Sequence, residues 1–203
     1  MFVMTIHYPN GDLYSFKHDS KKKVPRSTTI YGKRGMSLED EINESNDYYL
    51  KSGVAVIHKK PTPVQIVDVY YPKRSAAVIK KAYFKQASTT DYNGVYKGFY
   101  LDFEAKETKN KTSFPLSNFH EHQVQHMKAC QAQAGICFTI VKFVTTDQIF
   151  LMPADILFDY WDNRDNGRKS IPKDVLQQHG IEMNYALKPR IPYLKYVDQL
   201  IKK

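Results

Sequence analysis

STTDYNGVYKGFYLDFEAKE, residues 88–107, decides how the rest of the chain is read. Asn93-Gly94 is a dipeptide favoured in two-residue hairpin turns, where both central residues need φ > 0. The stretch therefore reads as a β-hairpin whose second strand runs from Phe99 to Lys106. Side chains alternate across a strand, so Glu104 and Lys106 share one face and Leu101, Phe103 and Ala105 form an apolar opposite face. Asp91 lies thirteen residues before Glu104, at the start of the hairpin, where a bend can bring it alongside. Two carboxylates and an amine make a hard-oxygen site for a divalent cation with a positive group beside it. The bland alternative is a surface hairpin with an ordinary cross-strand ion pair.

The spacing Asp-x12-Glu-Ala-Lys resembles the PD-(D/E)xK nuclease motif, which is weak by itself. Longer strings add specificity: KRGMSLEDEINESN, AVIHKKPTPVQIV, STTDYNGVYKGFYLDFEAKETKNKTSFPLSNFHEHQ and GRKSI. From about residue 6 to the C-terminus the chain is similar to the RecU family of bacterial Holliday-junction resolvases. The resemblance implies a restriction-endonuclease-like α/β fold, a mixed sheet flanked by helices with a protruding stalk. It implies Asp91, Glu104 and Lys106 as catalytic residues, with Thr89 and Gln123 joining Asp91 and Glu104 at the metal. It makes Arg34 a DNA-contact candidate. It also implies a homodimer acting on four-way DNA junctions, with a RecA-like recombinase and a RuvB-like branch-migration motor as further partners.

Composition agrees with a polyanionic partner. The chain has 203 residues, enough for one domain with a real core, and a formal net charge of +9. No apolar run approaches the roughly 20 residues of a membrane span, and MFVMTIHYPNGD lacks the basic and apolar regions of a secretory signal. A cytoplasmic protein is expected, without membrane contact. Cys130 and Cys137 lack zinc-finger spacing and read as reduced, buried thiols.

The remaining segments fall around the hairpin. Residues 1–35 read as a mobile basic arm, within a single nuclease domain spanning 1–203. A helix is expected over 37–52, capped by Ser37 and Asp40, with Leu38, Ile42, Tyr49 and Leu50 on its apolar side. Its Glu39 is a candidate for a place near the metals. Residues 54–58 read as a buried strand. Residues 59–87 hold seven lysines and arginines against the single acid Asp68, with aromatics interleaved. Lys59, Lys60, Arg74, Tyr83 and Phe84 are candidate DNA contacts there, since basic edges with aromatic tips suit entry into nucleic acid. The alternative is a hairpin packed on the domain, and periodicity leaves residues 75–85 open between strand and helix. Ser117 is expected to cap a helix running to about Ala134 and ending at Gly135. Its His122 and His126 have i,i+4 spacing but no intervening glutamate, which disfavours a zinc pair. Strands are expected at 136–144 and 148–152, a helix from Pro153 to Trp161, a helix from Ser170 to Gly180, and a short one at 193–201. Arg164, Arg168 and Lys169 lie in a polar loop.

The reading is a magnesium-dependent endonuclease that resolves Holliday junctions by paired nicks in DNA recombination and repair, with manganese able to substitute. At pH 7 without metal, Asp91 and Glu104 together are expected to carry about two negative charges. Two alternatives stand beside it. One is a non-catalytic junction-binding modulator of a recombinase or branch-migration motor. The other is a nuclease of the same fold acting on RNA or plain duplex.

Overall fold

The computed structural model describes residues 36–73, 76–85 and 89–201. Arg34, Arg74 and the basic segment at 1–35 lie outside these residues.

Ser37 and Asp40 form the expected reciprocal cap. Ser37 Oγ accepts from the Asp40 amide at 3.2 Å, and the Asp40 carboxylate accepts from the Ser37 amide at 3.3 Å. Helix α1 follows over Leu38–Lys51, with Gly53 beyond it at φ 66. Leu38, Ile42 and Tyr49 are buried, whereas Leu50, expected on the apolar side, is exposed.

Six strands lie side by side in the order β1 (Val56–Lys59), β4 (Tyr92–Tyr96), β5 (Phe99–Thr108), β7 (Ile136–Phe143), β8 (Gln148–Pro153) and β10 (Ile181–Met183). β5 and β7 run parallel, and the other neighbours are antiparallel. A parallel pair needs a long crossover. Here it carries β6 (Ser113–Pro115), a 3₁₀ turn at Leu116–Asn118 and helix α2 (Glu121–Ala132). Helices α3 (Ala154–Asp162) and α4 (Lys173–His179) pack on the same side as α2, and α5 (Leu194–Ile201) packs opposite, with α1. This is the expected α/β architecture, a mixed sheet with helices on both faces.

The two faces explain the strand compositions. Leu101, Phe103, Ile140 and Leu151 join α1 and α5 in one core; Val141, Phe143, Phe150 and Met152 join α2, α3 and α4 in the other. β7 and β8 are therefore largely apolar on both sides, as central strands are, with the buried Thr139 and Lys142 of β7 as departures. β5 is the exception: its second face carries Asp102, Glu104 and Lys106. Tyr92, Phe103 and Phe138 stack across β4, β5 and β7, with centroids 4.9 and 4.7 Å apart and planes within 10° of parallel. Each is the direct cross-strand partner of the next.

Several local expectations are corrected. The β4–β5 hairpin turns at Lys97-Gly98, both at positive φ (52 and 83), and Asn93-Gly94 lies inside β4. Gly94 answers to close packing: a Cβ there would lie 2.1 Å from the Val56 carbonyl oxygen and 2.6 Å from Ile57 Cα. β1 is an edge strand in which Ile57 alone is buried, so its apolar composition does not reflect two-sided burial. His120 occupies the N-cap of α2 and Pro172 that of α4, in place of Ser117 and Ser170. Ser117 lies in the 3₁₀ turn that follows β6, and Ser170 begins β9 (Ser170–Pro172), which pairs with β6. Pro153 is the N-cap of α3 and not its first residue, and the left-handed residue after α2 is Ala134.

The basic-aromatic segment forms an antiparallel ribbon of β2 (Val64–Tyr70) and β3 (Val78–Phe84), which answers the strand-or-helix question for its second arm. All fourteen strand residues are exposed. Tyr83 and Phe84 are 55% and 83% exposed, so the ribbon is not packed on the body.

The two glycines of the hairpin should respond differently to alanine. Gly98→Ala should cost about 1–2 kcal/mol, the strain of a left-handed residue with open space around it. Gly94→Ala should cost more than that, because its clash is with backbone that cannot rotate away. Urea unfolding of both variants measures this; a milder Gly94→Ala would contradict the close-approach account.

Candidate active site

The polar face of β5 lies beneath the first turns of α2. Tyr92 opposes Phe103, so one step further along the register Asp91 meets Glu104. The Asp91 amide donates to Glu104 Oε1 at 3.0 Å. Lys106, two residues on and on the same face, places Nζ 2.9 Å from Glu104 Oε2 and 3.9 Å from Asp91 Oδ2. Glu104 is wholly buried, while the Lys106 and Asp91 side chains are 19% and 32% exposed. The three groups expected to act together do meet, with the two outer ones reachable from solvent.

Gln123 joins them from α2. Its Oε1 accepts from the His120 amide at 3.1 Å, and its Nε2 donates to Glu104 Oε1 at 2.7 Å. The side chain thus ties the helix N-terminus to the buried carboxylate. In this arrangement its amide oxygen is engaged by backbone and its amide nitrogen by Glu104. Thr89 donates its hydroxyl to the Thr90 carbonyl at 3.3 Å and lines, with Asp91, Thr90, Glu39, Lys59 and Lys60, a cleft of about 410 Å³. Glu39 forms an ion pair with Lys59 in that cleft.

Burial dominates the electrostatics of Glu104. Its carboxyl is pushed up to about 8; the Lys106 ammonium opposes this, and the Asp91 carboxyl adds to it. In the metal-free protein burial therefore favours the protonated form of Glu104, which works against the two full negative charges expected of the pair. The buried Glu104 Oε2 has no aligned hydrogen bond among the described residues, although Lys106 is near. A buried oxygen held only by the Lys106 ion pair, beside a second, partly exposed carboxylate, fits a hard divalent cation with water in its remaining positions.

A second polar centre on the same face escaped the sequence reading. Asp102, also wholly buried, accepts from Lys60 Nζ at 2.9 Å, from the Tyr100 hydroxyl at 2.8 Å and from the Thr90 hydroxyl. His126 Nε2 lies 3.2 Å away. The available signal was parity, since 102, 104 and 106 share a face. Lys60, expected at DNA, is paired with Asp102 and also lines the cleft. His126 turns to Asp102 while His122 stacks on His120 at 5.4 Å, so the two do not form a helical metal pair. Arg164 reaches Glu121 at 3.0 Å. Cys137 is buried and donates to the Met127 carbonyl at 3.3 Å, and Cys130 is half-buried; both are free thiols. No helix among the described residues is long and apolar enough to cross a membrane.

A mixed α/β sheet on which two carboxylates and a lysine converge has the groups that metal-assisted hydrolysis of a phosphate ester would use. The comparisons with known proteins give the family. The model of the RecU family, "Recombination protein U", matches residues 33–199. A Ligilactobacillus salivarius protein named Holliday junction resolvase RecU is 65% identical, covering 98% of this chain and 99% of its own. A Bacillus subtilis protein of the same name is 58% identical, over 96% and 95%. The chain belongs to the RecU family. Among solved structures, Archaeoglobus fulgidus Hjc, a Holliday junction resolvase, matches at TM-score 0.40 and 11% identity, covering 70% of this chain and 94% of that one. At that level the likeness carries no argument here.

The raised carboxyl of Glu104 predicts a pH effect in chelator. Its contribution to stability is fully present below the unfolded value near 4.5 and is lost as pH rises through about 8. The melting temperature of Glu104→Gln relative to wild type should therefore climb between pH 5 and pH 9. A difference that stays flat across this range would mean Glu104 ionises normally. With magnesium or manganese present the trend should weaken, because the cation competes with the proton.

Proposed function

We propose that this chain is a magnesium-dependent endonuclease that resolves Holliday junctions by paired nicks during DNA recombination and repair. The observation that carries the reading is the convergence of Asp91, Glu104 and Lys106, with Asp91 lining a cleft, in a member of the RecU family whose relatives are named Holliday junction resolvases. A complete set of this kind has no use in a protein that merely binds junctions.

Asp91 and Glu104 would hold the cation. Bound there, it would lower the pKa of a water and offset charge on the phosphate. Lys106, already paired with Glu104 at 2.9 Å, holds the attacking water and stabilises negative charge developing on the phosphate oxygens. Gln123 keeps the buried carboxylate in place through its bond at 2.7 Å.

Junction preference is assigned to the exposed ribbon of β2 and β3. Lys80 lies 4.8 Å from the Tyr70 ring centre and Lys81 5.3 Å from that of Tyr83. Ammonium groups beside exposed rings can meet phosphates and unstacked bases together. Tyr83, Phe84 and Lys59 are the described candidates for that contact. A homodimer accounts for paired nicks, since a two-fold assembly presents two sites to a two-fold substrate.

Cleavage of four-way junctions should require magnesium or manganese, and activity in excess chelator would refute the cation site. Lys106→Ala should lower turnover roughly 10²–10³-fold, as for loss of one charge-stabilising donor, with junction affinity nearly unchanged. Near-normal turnover would make Lys106 a structural partner of Glu104. Replacing residues 65–85 by a short Gly/Ser turn should abolish the preference for junction over duplex while leaving salt-sensitive duplex binding. A folded, shortened protein that still prefers junctions would remove the ribbon from the account.

A further inference from the structure

Asp102, His126 and Cys130 form a second cluster whose chemistry differs from that of the cleft. His126 and Cys130 sit one turn apart on α2 and face Asp102 on β5. One ligand atom from each of the three lies within 4.8 Å of the others. His126 Nε2 is 3.2 Å from Asp102 Oδ2 and 3.5 Å from Cys130 Sγ. For a tetrahedral zinc with bonds of about 2.0 Å to nitrogen or oxygen and 2.3 Å to sulfur, those edges would be roughly 3.3 Å and 3.5 Å. Both edges at His126 thus match those of a bound ion, and the third, between Asp102 and Cys130, lies within 4.8 Å. A cavity of about 570 Å³ adjoins the cluster, lined by His126, Cys130 and Tyr100 among others, and offers room for a fourth ligand.

The hydrogen bonding around Asp102 points the same way. Oδ2 accepts from Lys60 and Tyr100, which already uses its two lone pairs, and His126 Nε2 lies 3.2 Å away as well. The cation this oxygen faces is the end of a flexible lysine chain that is 19% exposed and can withdraw. A divalent ion would replace one ammonium and add the imidazole and thiolate as ligands. Thiolate and imidazole select zinc-class ions over magnesium, which prefers oxygen.

We propose that Asp102, His126 and Cys130 form a binding site for zinc or a similar thiophilic divalent ion, separate from the hard-oxygen site at Asp91 and Glu104. The site bridges β5 and α2, the two elements that hold Glu104 and Gln123. Bound zinc would stabilise the fold and release Lys60 from its buried pair at the root of the ribbon. This assignment does not rest on the nuclease reading.

The test uses cobalt as the probe, added to the reduced full-length protein in excess magnesium. The expected spectrum has the visible bands of tetrahedral cobalt and a near-ultraviolet thiolate-to-cobalt transition, both removed by one equivalent of zinc. The thiolate transition should vanish in Cys130→Ser and the visible bands weaken in His126→Ala, while Cys137→Ser and Asp91→Asn keep both. Zinc should also raise the melting temperature of the wild type and slow alkylation of Cys130, measured by mass spectrometry. That readout needs no variant and holds if a substituted protein misfolds. The proposal is overturned if wild-type protein gives no thiolate transition and zinc does not protect Cys130. It is equally overturned if the transition survives Cys130→Ser, disappears with Cys137→Ser, or depends on Asp91.

Discussion

The stack of Tyr92, Phe103 and Phe138 across three strands is the constraint from which the site follows. These are large, wholly buried rings in nearly parallel planes, each directly opposite the next. Slipping β4 against β5 by one residue would turn every side chain to the wrong face. It would also break a contact worth about 0.5–1.5 kcal/mol per aromatic pair beyond burial. With that register held, Asp91 meets Glu104, and the alternation of β5 puts Lys106 beside both. The apolar face of β5 thus fixes the chemistry of its polar face.

Placing ionisable groups on the buried face of a central strand has an energetic consequence. Glu104 is desolvated, so its proton is held up to about 8, and its two oxygens depend on an amide, a glutamine and a lysine supplied by three elements. A divalent cation relieves this cost in the charged form, which links metal binding to deprotonation. Asp102 is equally buried but satisfied by Lys60, Thr90, Tyr100 and His126. One carboxylate of the strand is left short of partners and the other is surrounded by them. That difference separates an oxygen left short of partners, open to a hard cation, from one that in the metal-free protein fastens the ribbon's root and α2 to the sheet.

Much of this was legible in the sequence because it is local. The alternation from Phe99 to Lys106 assigns faces without tertiary knowledge, and Ser37 with Asp40 announces α1. The convergence of Gln123 on Glu104 was expected from family resemblance and not from spacing. What failed is what local patterns cannot encode. Asn93-Gly94 has turn chemistry, yet Gly94 is required because β1 passes within reach of any side chain, whereas Lys97-Gly98 makes the turn. Asp102 was passed over because its partners lie 12 to 42 residues away, except for Tyr100. Ser117 and Ser170 look like helix caps, but the chain spends those neighbourhoods pairing β6 with β9. Val54 and Val56 look like core and lie at the sheet edge, where half of each is exposed.

The central claim is that the register brings Asp91 to Glu104 to form a cation-dependent cleavage site, and Asp91→Ala tests it most directly. Asp91 is the more exposed of the two carboxylates that an incoming phosphate would meet when no cation is bound. The variant should melt cooperatively, bind four-way junctions in chelator at least as tightly as wild type, and show no cleavage above background with magnesium. A cooperatively folded Asp91→Ala protein that still cuts junctions would contradict the account.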